Sequence, residues 1–265
     1  MASERKLKKK EARFAAANPN TLHSNLSFTA TEQYKLLRTN LSFTLPDDDK
    51  CMIIGVTSSM RGEGKSTTAV NLSYVLAENG KKVLLIDGDL RVPSVAKKMG
   101  IPSSPGLTTL LKGGEAISLS SFKSTIYDNW YIIPSGQMPP NPSELLGSAR
   151  MGNALQMLSE SFDYIVIDLP PVNLVSDALA VSKYIKGMLV VVREDYCEKR
   201  ELDNCLRLLK LSDVNILGIV MNETKNGKGY YSKYRSKRYY KYYSHYYSDY
   251  SSYRAKPTEK ETEKK

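Results

Sequence analysis

The chain of 265 residues has few of the features that crosslink a protein or anchor it in a membrane. It has only three cysteines, Cys51, Cys197 and Cys205, which have neither the spacing of a metal site nor the number needed for a disulfide framework. No apolar run approaches the ~18 residues that span a bilayer, and no apolar signal segment follows the charged N-terminus. These absences argue against a secreted disulfide scaffold and a membrane-spanning chain, and they predict a soluble protein of a reducing compartment.

Acidic residues are scarce at both ends of the chain. Residues 1–13 hold six lysines and arginines against two glutamates, and residues 225–265 hold twelve against four acidic residues. The ends therefore carry +4 and +8 of the net charge of +10, which leaves −2 on residues 14–224. A nearly neutral centre argues against a basic groove built into the fold. The ends are predicted to be solvated arms that either meet an acidic surface or only aid solubility.

The centre of the chain alternates apolar strand patterns with helical patterns. This alternation predicts an α/β fold in which helices cover both faces of a parallel sheet. The expected organisation is a basic and polar arm at 1–27, a helix at 28–45, a main domain at 46–224 and a basic, tyrosine-rich tail at 225–265. Thr29 and Glu32 have the spacing of a capping box at the start of the first helix.

A glycine-rich loop at 58–67 lies between the first strand pattern and an amphipathic helix pattern. Gly62 and Gly64 let the backbone N–H groups turn inward at a helix N-terminus, which is how proteins bind phosphate. Lys65 can reach the β- and γ-phosphates, and Ser66 can offer its hydroxyl to Mg²⁺. The pattern G-x-x-x-x-G-K-[ST] begins with glycine, and this chain has Ser59 there. We therefore predict a P-loop NTPase-like fold whose nucleotide contacts include Ser59, Arg61, Gly62, Glu63, Gly64, Lys65, Ser66 and Thr67.

Three aspartates follow apolar strand patterns, where open α/β sheets bind their ligands. Asp168 ends one strand, and Asp87 and Asp89 follow another with a spacing of two residues. An aspartate after a strand often only caps the next turn, but two such strands beside a phosphate loop favour a metal site. From their positions, all three aspartates could contribute to such a metal site.

Four motifs resemble those of the bacterial protein-tyrosine kinases, or BY-kinases, of capsule and exopolysaccharide gene clusters. Residues 84–91, Leu-Leu-Ile-Asp-Gly-Asp-Leu-Arg, resemble their Walker A′ motif, and the loop at 57–67 resembles their Walker A motif, which also lacks the first glycine. Residues 139–146, Pro-Pro-Asn-Pro-Ser-Glu-Leu-Leu, and the tyrosine-rich end are similar to two further features of that family. The resemblance covers residues 28–253 and implies autophosphorylation on tyrosine with ATP and Mg²⁺.

The resemblance also implies roles for single residues. Lys65, Asp87 and Asp89 would be catalytic, with Asp87 facing the incoming tyrosine hydroxyl. Ser66, Asp89 and Asp168 would hold the metal ion, directly or through water. A carboxylate of pKa about 4 is a weak base for a phenol of pKa about 10, but a loose transition state tolerates the mismatch. Arg91 would either contact phosphate or form a structural ion pair. Asn222 would either contact adenine or form a turn.

Two departures from the family pattern concern charge. Arg61 replaces a proline of the loop, and it would either add a cation near the phosphates or lie in solvent. The first helix resembles an E-x-x-R-x-x-R segment through which these kinases form rings, with Glu32 and Arg38 matching and Lys35 replacing the first arginine. Lysine cannot make the two-pronged contact with a carboxylate that arginine makes. A homo-oligomeric ring is expected through this helix, with a weaker contact.

The resemblance implies further partners. A separate transmembrane adaptor would bind the chain and recruit it from the cytoplasm to the inner face of the cell membrane. A cognate tyrosine phosphatase would reverse the reaction, and no specific nucleic acid is expected.

The tail is the expected phosphoacceptor. Residues 230–253 contain eleven tyrosines and no leucine, isoleucine or valine. Some of the tyrosines have helical spacing, so a docked aromatic helix is one alternative, and a nucleic-acid arm is another. A flexible substrate tail is favoured, with Tyr230, Tyr231, Tyr234, Tyr239, Tyr240, Tyr242, Tyr243, Tyr246, Tyr247, Tyr250 and Tyr253 as candidate acceptors.

Two other functions compete with a kinase. A deviant-Walker ATPase that acts as a nucleotide switch would share the fold, but such proteins carry a signature lysine at the position of Met60. A non-catalytic scaffold for polysaccharide assembly is the second alternative, and the sequence does not distinguish it from a kinase.

Overall fold

The computed structural model describes residues 26–44, 50–113, 122 and 127–224. In this part of the chain, six parallel strands form one sheet in the order β3-β2-β4-β1-β5-β6. The strands are β1 Met52–Ser58, β2 Val83–Asp87, β3 Trp130–Ile133, β4 Tyr164–Asp168, β5 Gly187–Arg193 and β6 Ile216–Asn222. The predicted fold class is confirmed.

Helices connect the strands and cover the sheet. They are α1 Phe28–Thr44, α2 Lys65–Glu78, α3 Val95–Met99, α4 Leu107–Lys112, α5 Pro142–Leu146, α6 Ala149–Ser159, α7 Asp177–Val181 and α8 Lys199–Leu211, with a 3-10 turn at Ser182–Tyr184. Gly80 follows the end of α2 with a φ of +82°, a left-handed conformation that favours glycine.

Each face of the sheet packs against its own set of helices. On one face, Ile86 and Ile167 share a core with Leu155 of α6 and Leu209 of α8. On the other face, Val56, Leu85 and Val166 share a core with Leu72 of α2 and Leu41 of α1. Strands that are buried on both faces need apolar residues at every position, which explains the continuous apolar runs in the sequence.

The strand order brings the motifs together. β1, which leads into the glycine-rich loop, pairs with β4, and β4 also pairs with β2. In this register Val56 is level with Asp168, and Asp168 is level with Asp87. The carboxyl ends of three adjacent parallel strands therefore present the loop and the aspartates at one edge of the sheet.

Helix α1 begins earlier than the predicted capping box. The Ala30 N–H donates to Ser27 Oγ at 3.2 Å, so Ser27 performs the capping, and the Thr29 cap is wrong. Glu32 lies in the second turn and accepts from Lys35 Nζ at 3.1 Å. Serine and threonine are similarly good caps, and the structure uses the one that comes first along the chain.

Several predictions fall on residues that the structure does not describe. Both basic arms lie outside the described residues, as do the candidate acceptor tyrosines of 230–253. Among the described residues, no helix is long and apolar enough to cross a membrane.

Candidate active site

The glycine-rich loop curls tightly between β1 and α2. Gly62 and Gly64 have φ angles of +83° and +95°, which residues other than glycine rarely adopt. A Cβ atom at Gly64 would also overlap the side-chain nitrogen of Asn222. Gly64 is the N-cap of α2, so the loop presents its backbone at the N-terminus of a 14-residue helix. This is an arrangement that binds anions.

Lys65 lies at the centre of the site. Its Nζ atom is 2.8 Å from Asp89 Oδ2, 3.3 Å from Asp168 Oδ1 and 3.2 Å from Ser66 Oγ. Burial lowers the pKa of Lys65, but Asp168 and Asp89 raise it more, so the pKa lies above its ordinary value. The structure thus brings together the lysine, the serine and the aspartates that the sequence singles out.

Asp87 and Asp168 are fully buried, with 0% of each residue exposed. Asp87 Oδ2 accepts from the N–H groups of Ser94 and Val95 at 3.1 and 3.0 Å. Burial and the nearby Asp168 raise the pKa of Asp87 to about 7. The pKa of Asp168 is also raised, because burial outweighs the opposing effect of Lys65.

One oxygen of each buried aspartate lacks a protein partner. Asp87 Oδ1 and Asp168 Oδ2 have no hydrogen bond among the described residues. Within the same residues, no three histidine, cysteine or acidic side chains are grouped closely enough to hold a metal by themselves. Magnesium needs only one or two carboxylates when phosphates and water complete its shell. The site therefore fits Mg²⁺ that arrives with a nucleotide.

A second buried carboxylate lies within the loop itself. Glu63 is 0% exposed, and its carboxylate accepts from Ser59 Oγ at 2.9 Å and from the Met60 N–H at 2.7 Å. Cys197 Sγ lies 3.1 Å from Ser59 Oγ, and burial raises the pKa of this thiol. Ser59, at the position of the usual first glycine, thus supplies a hydroxyl that Glu63 uses. The Glu63 side chain therefore binds within the loop itself.

Three other residues predicted to contact the nucleotide, Arg61, Arg91 and Asn222, have different surroundings. Arg61 is exposed, and Arg91 donates from Nε and Nη2 to both oxygens of buried Asp177, at 2.9 and 3.0 Å. Of the two roles left open for Arg91, the structural ion pair is formed. The Asn222 side-chain amide donates to the Glu63 carbonyl at 2.9 Å and so braces the loop.

Several residues of the site were not predicted from the sequence. Asp177 binds both Arg91 and Ser143, whose hydroxyl donates to Asp177 Oδ1. Arg193 Nη1 donates to the Gly62 carbonyl at 3.5 Å, and Lys98 Nζ donates to Thr67 Oγ1 at 3.0 Å. Each contact joins residues at least 31 positions apart. No spacing in the sequence signals such pairs, because they depend on how the elements pack.

Comparisons with known proteins show which proteins this chain resembles. The AAA domain family matches residues 51–210. Tyrosine-protein kinase YwqD of Bacillus subtilis is 34% identical over 221 residues, which cover 82% of this chain and 90% of YwqD. Tyrosine-protein kinase wzc of Salmonella typhi is 33% identical over 219 residues, which cover 82% of this chain but only 29% of wzc. The crystal structure of the chimerical protein CapA2B2 has a TM-score of 0.69 and 34% identity, covering 74% of this chain and 85% of that chain.

Proposed function

The chain belongs to the bacterial tyrosine-protein kinases, and on that premise we propose that it transfers the γ-phosphoryl group of Mg-ATP to tyrosines of its own tail, between subunits. The observation that supports this proposal best is the cluster of Lys65, Asp87, Asp89 and Asp168 at the end of the sheet, beside a phosphate-binding loop. Phosphoryl transfer needs positioning and charge stabilisation more than covalent help from the protein, and this cluster offers both.

Lys65 and the loop would bind the phosphates. The inward N–H groups of the loop would hold the β- and γ-phosphates, and Lys65 would exchange Asp89 and Asp168 for phosphate oxygens. Ser66, Asp89 and Asp168 would hold Mg²⁺ directly or through water. The metal would supply the charge that neutralises the phosphate oxygens during transfer.

Asp87 would receive the proton of the acceptor. The tyrosine oxygen forms a bond to the γ-phosphorus, the bond from that phosphorus to the β,γ-bridging oxygen breaks, and ADP leaves. The phenolic proton passes to the carboxylate of Asp87, whose Oδ1 has no other partner among the described residues. A raised pKa of about 7 makes this carboxylate a stronger base than an ordinary one.

The tail supplies the acceptors in this proposal. Residues 230–253 offer eleven tyrosines, and the +8 charge of residues 225–265 would favour entry into a site rich in carboxylates. Each phosphate added to a tyrosine brings a charge of roughly −1.5 to −2, so about five phosphotyrosines would cancel the tail's charge. Product would therefore leave such a site more readily than substrate.

The proposed assembly has three partners. Ring formation through α1 would use Glu32, Lys35 and Arg38. Arg38 already donates to the Val75 carbonyl at 2.8 Å within one chain, which holds α1 against the end of α2. A transmembrane adaptor would recruit the kinase to the inner face of the membrane, consistent with wzc being far longer than the part that this chain matches. A phosphatase would restore the tail, and the cycle would regulate capsule or exopolysaccharide synthesis.

A nucleotide switch of the deviant-Walker type is the alternative that the fold also allows. Met60 occupies the position of its signature lysine, and its backbone N–H is bound by Glu63. The tyrosine-rich tail has no use in such a switch. Both observations favour the kinase.

Incubation of the purified full-length chain with Mg-ATP, followed by intact-mass and peptide analysis, tests the proposal. We expect phosphate additions that map to residues 230–253. Lys65→Met should abolish them, whereas Lys81→Met, at an exposed lysine outside the site, should not. Release of ADP without protein-bound phosphate would instead support a nucleotide switch, and the absence of both would support a scaffold.

A further inference from the structure

A second lysine reaches the helix that begins at the phosphate loop. Lys98 lies in the short helix α3, which follows the Asp87 and Asp89 segment. Its Nζ atom donates to Thr67 Oγ1 at 3.0 Å. Thr67 lies in the first turn of α2 and directly follows Ser66, the proposed metal ligand. A cation from a separate element is therefore placed at the N-terminal turn that would face the phosphates.

Lys98 shares its electrostatic surroundings with the central residues of the site. Burial lowers its pKa, Asp168 opposes that effect, and Lys65 adds to it. The charges of Asp168 and Lys65 therefore both act on the Lys98 amino group. Lys97, the adjacent residue of the same helix, is exposed and offers a comparison within the chain.

A purely structural tie between α3 and α2 explains this arrangement less well. Any hydrogen-bond donor could bind the Thr67 hydroxyl, and a neutral one would avoid burial of an amino group beside the positive charge of Lys65. Two cations near one anion-binding helix end are favourable once a polyphosphate is present, because each phosphate oxygen can pair with a positive group.

We propose that Lys98 is a second cationic ligand of the nucleotide phosphates, acting from α3 beside Lys65. The ligand class is a nucleoside di- or triphosphate. This inference rests on the nucleotide-binding part of the proposed function and is independent of which group receives the phosphate. The two lysines would share the phosphate charge, with Lys65 coming from the loop and Lys98 from the segment after β2.

Equilibrium binding of fluorescent Mg-ATP and Mg-ADP to full-length variants tests the role of Lys98. Because a charge-assisted hydrogen bond is lost, Lys98→Met should weaken the binding of at least one nucleotide roughly tenfold or more. Lys98→Gln, which keeps a donor for Thr67 but no charge, should lose about as much. Lys98→Arg should recover part of the affinity, and Lys97→Met should bind as the unchanged chain does.

The same measurements distinguish the possible failures. Nucleotide affinity of Lys98→Gln or Lys98→Met equal to that of the unchanged chain would overturn the role of Lys98, whatever the tail does. If the unchanged chain binds Mg-ATP but never modifies its tyrosines, the proposed kinase reaction is contradicted. The role of Lys98 is then still decided by the nucleotide affinities of its variants. Thermal unfolding without nucleotide should be alike for Lys98→Gln and the unchanged chain, because the amide still donates to Thr67, so loss of fold cannot account for the weaker binding of Lys98→Gln.

Discussion

Asp87 and Asp168 lie side by side at the ends of the neighbouring strands β2 and β4, and their burial determines the chemistry available to them. Each keeps one oxygen that forms no hydrogen bond with the described residues, and Lys65 Nζ lies 3.3 Å from the other oxygen of Asp168. In water such carboxylates would be ordinary acids. In the protein, burial and mutual repulsion raise the pKa of Asp87 to about 7, so a site residue titrates near neutral pH.

This titration predicts a pH dependence of stability for the nucleotide-free chain. The folded-state pKa of Asp87 is about 7, above the ordinary value of 3.8, so the folded chain binds the proton more tightly than the unfolded chain. The stability that the proton contributes is present below pH 3.8 and is lost as the pH rises through about 7. The free energy of unfolding should therefore fall less with rising pH in Asp87→Asn than in the unchanged chain. The difference should be on the order of a few kcal/mol.

Urea unfolding at several pH values between about 4 and 8 measures the effect. The exposed Asp203→Asn serves as the control and should follow the unchanged chain. If Asp87→Asn lost stability with pH as steeply as the control, burial of Asp87 would not be the cause.

At the scale of elements, the glycine-rich loop is held in shape from outside. The end of β5 contributes Arg193, which binds the Gly62 carbonyl, and the segment after β5 contributes Cys197, which contacts Ser59. The end of β6 contributes Asn222, which binds the Glu63 carbonyl. The strands β5 and β6, which both come long after the loop in the sequence, therefore help to hold its conformation. A loop braced in advance binds phosphate at a smaller entropic cost.

Gly64→Ala should disable this brace. Alanine would be strained at a φ of +95°, and its Cβ would overlap the Asn222 side chain, so the loop or the end of β6 must move. We expect loss of measurable Mg-ATP binding by isothermal calorimetry. Gly80→Ala is the matched control, because it has a similar φ of +82° but no atom within 4 Å of the added carbon. It should cost only about 1–2 kcal/mol of stability and leave binding unchanged. Equal losses of binding in the two variants would contradict the brace.

Over the whole molecule, charge and fold are separated along the chain. The α/β domain contains the site, while the positive charge lies in residues 1–13 and 225–265. The proposed acceptor tyrosines and the proposed catalytic residues thus belong to different segments, and nothing in the chemistry requires them to belong to the same copy of the chain. This separation makes transfer between subunits a testable property.

Mixing the unchanged full-length chain with a full-length Lys65→Met chain of distinguishable mass tests that property. The variant cannot bind phosphate through Lys65 but keeps every tail tyrosine. If subunits modify one another, phosphate should appear on the Lys65→Met tail and should depend on the unchanged chain. Phosphate confined to the unchanged chain, at rates independent of protein concentration, would indicate transfer within one subunit.

Features that depend on local spacing could be predicted from the amino-acid sequence. Apolar runs bounded by glycine, proline and aspartate predicted the parallel α/β fold, because buried strands and amphipathic helices leave periodic patterns. The loop at 58–67, with Lys65 and Ser66, was recognisable because phosphate binding needs glycines and a helix N-terminus next to one another. Asp87 and Asp168 were recognisable because they end apolar strands.

Which side chains contact one another depends on how the strands and helices pack. The strand order places β4 between β1 and β2, and that order brings Lys65 to Asp89 and Asp168. Packing also turned Arg91 toward Asp177 and the Glu63 carboxylate toward Ser59, and it carried Lys98 to Thr67. These contacts follow from how elements distant in sequence are stacked and buried, and burial in turn shifts the pKa of Asp87. Local patterns contain no record of such distances, so the motifs identified a phosphate site while the fold assigned its partners.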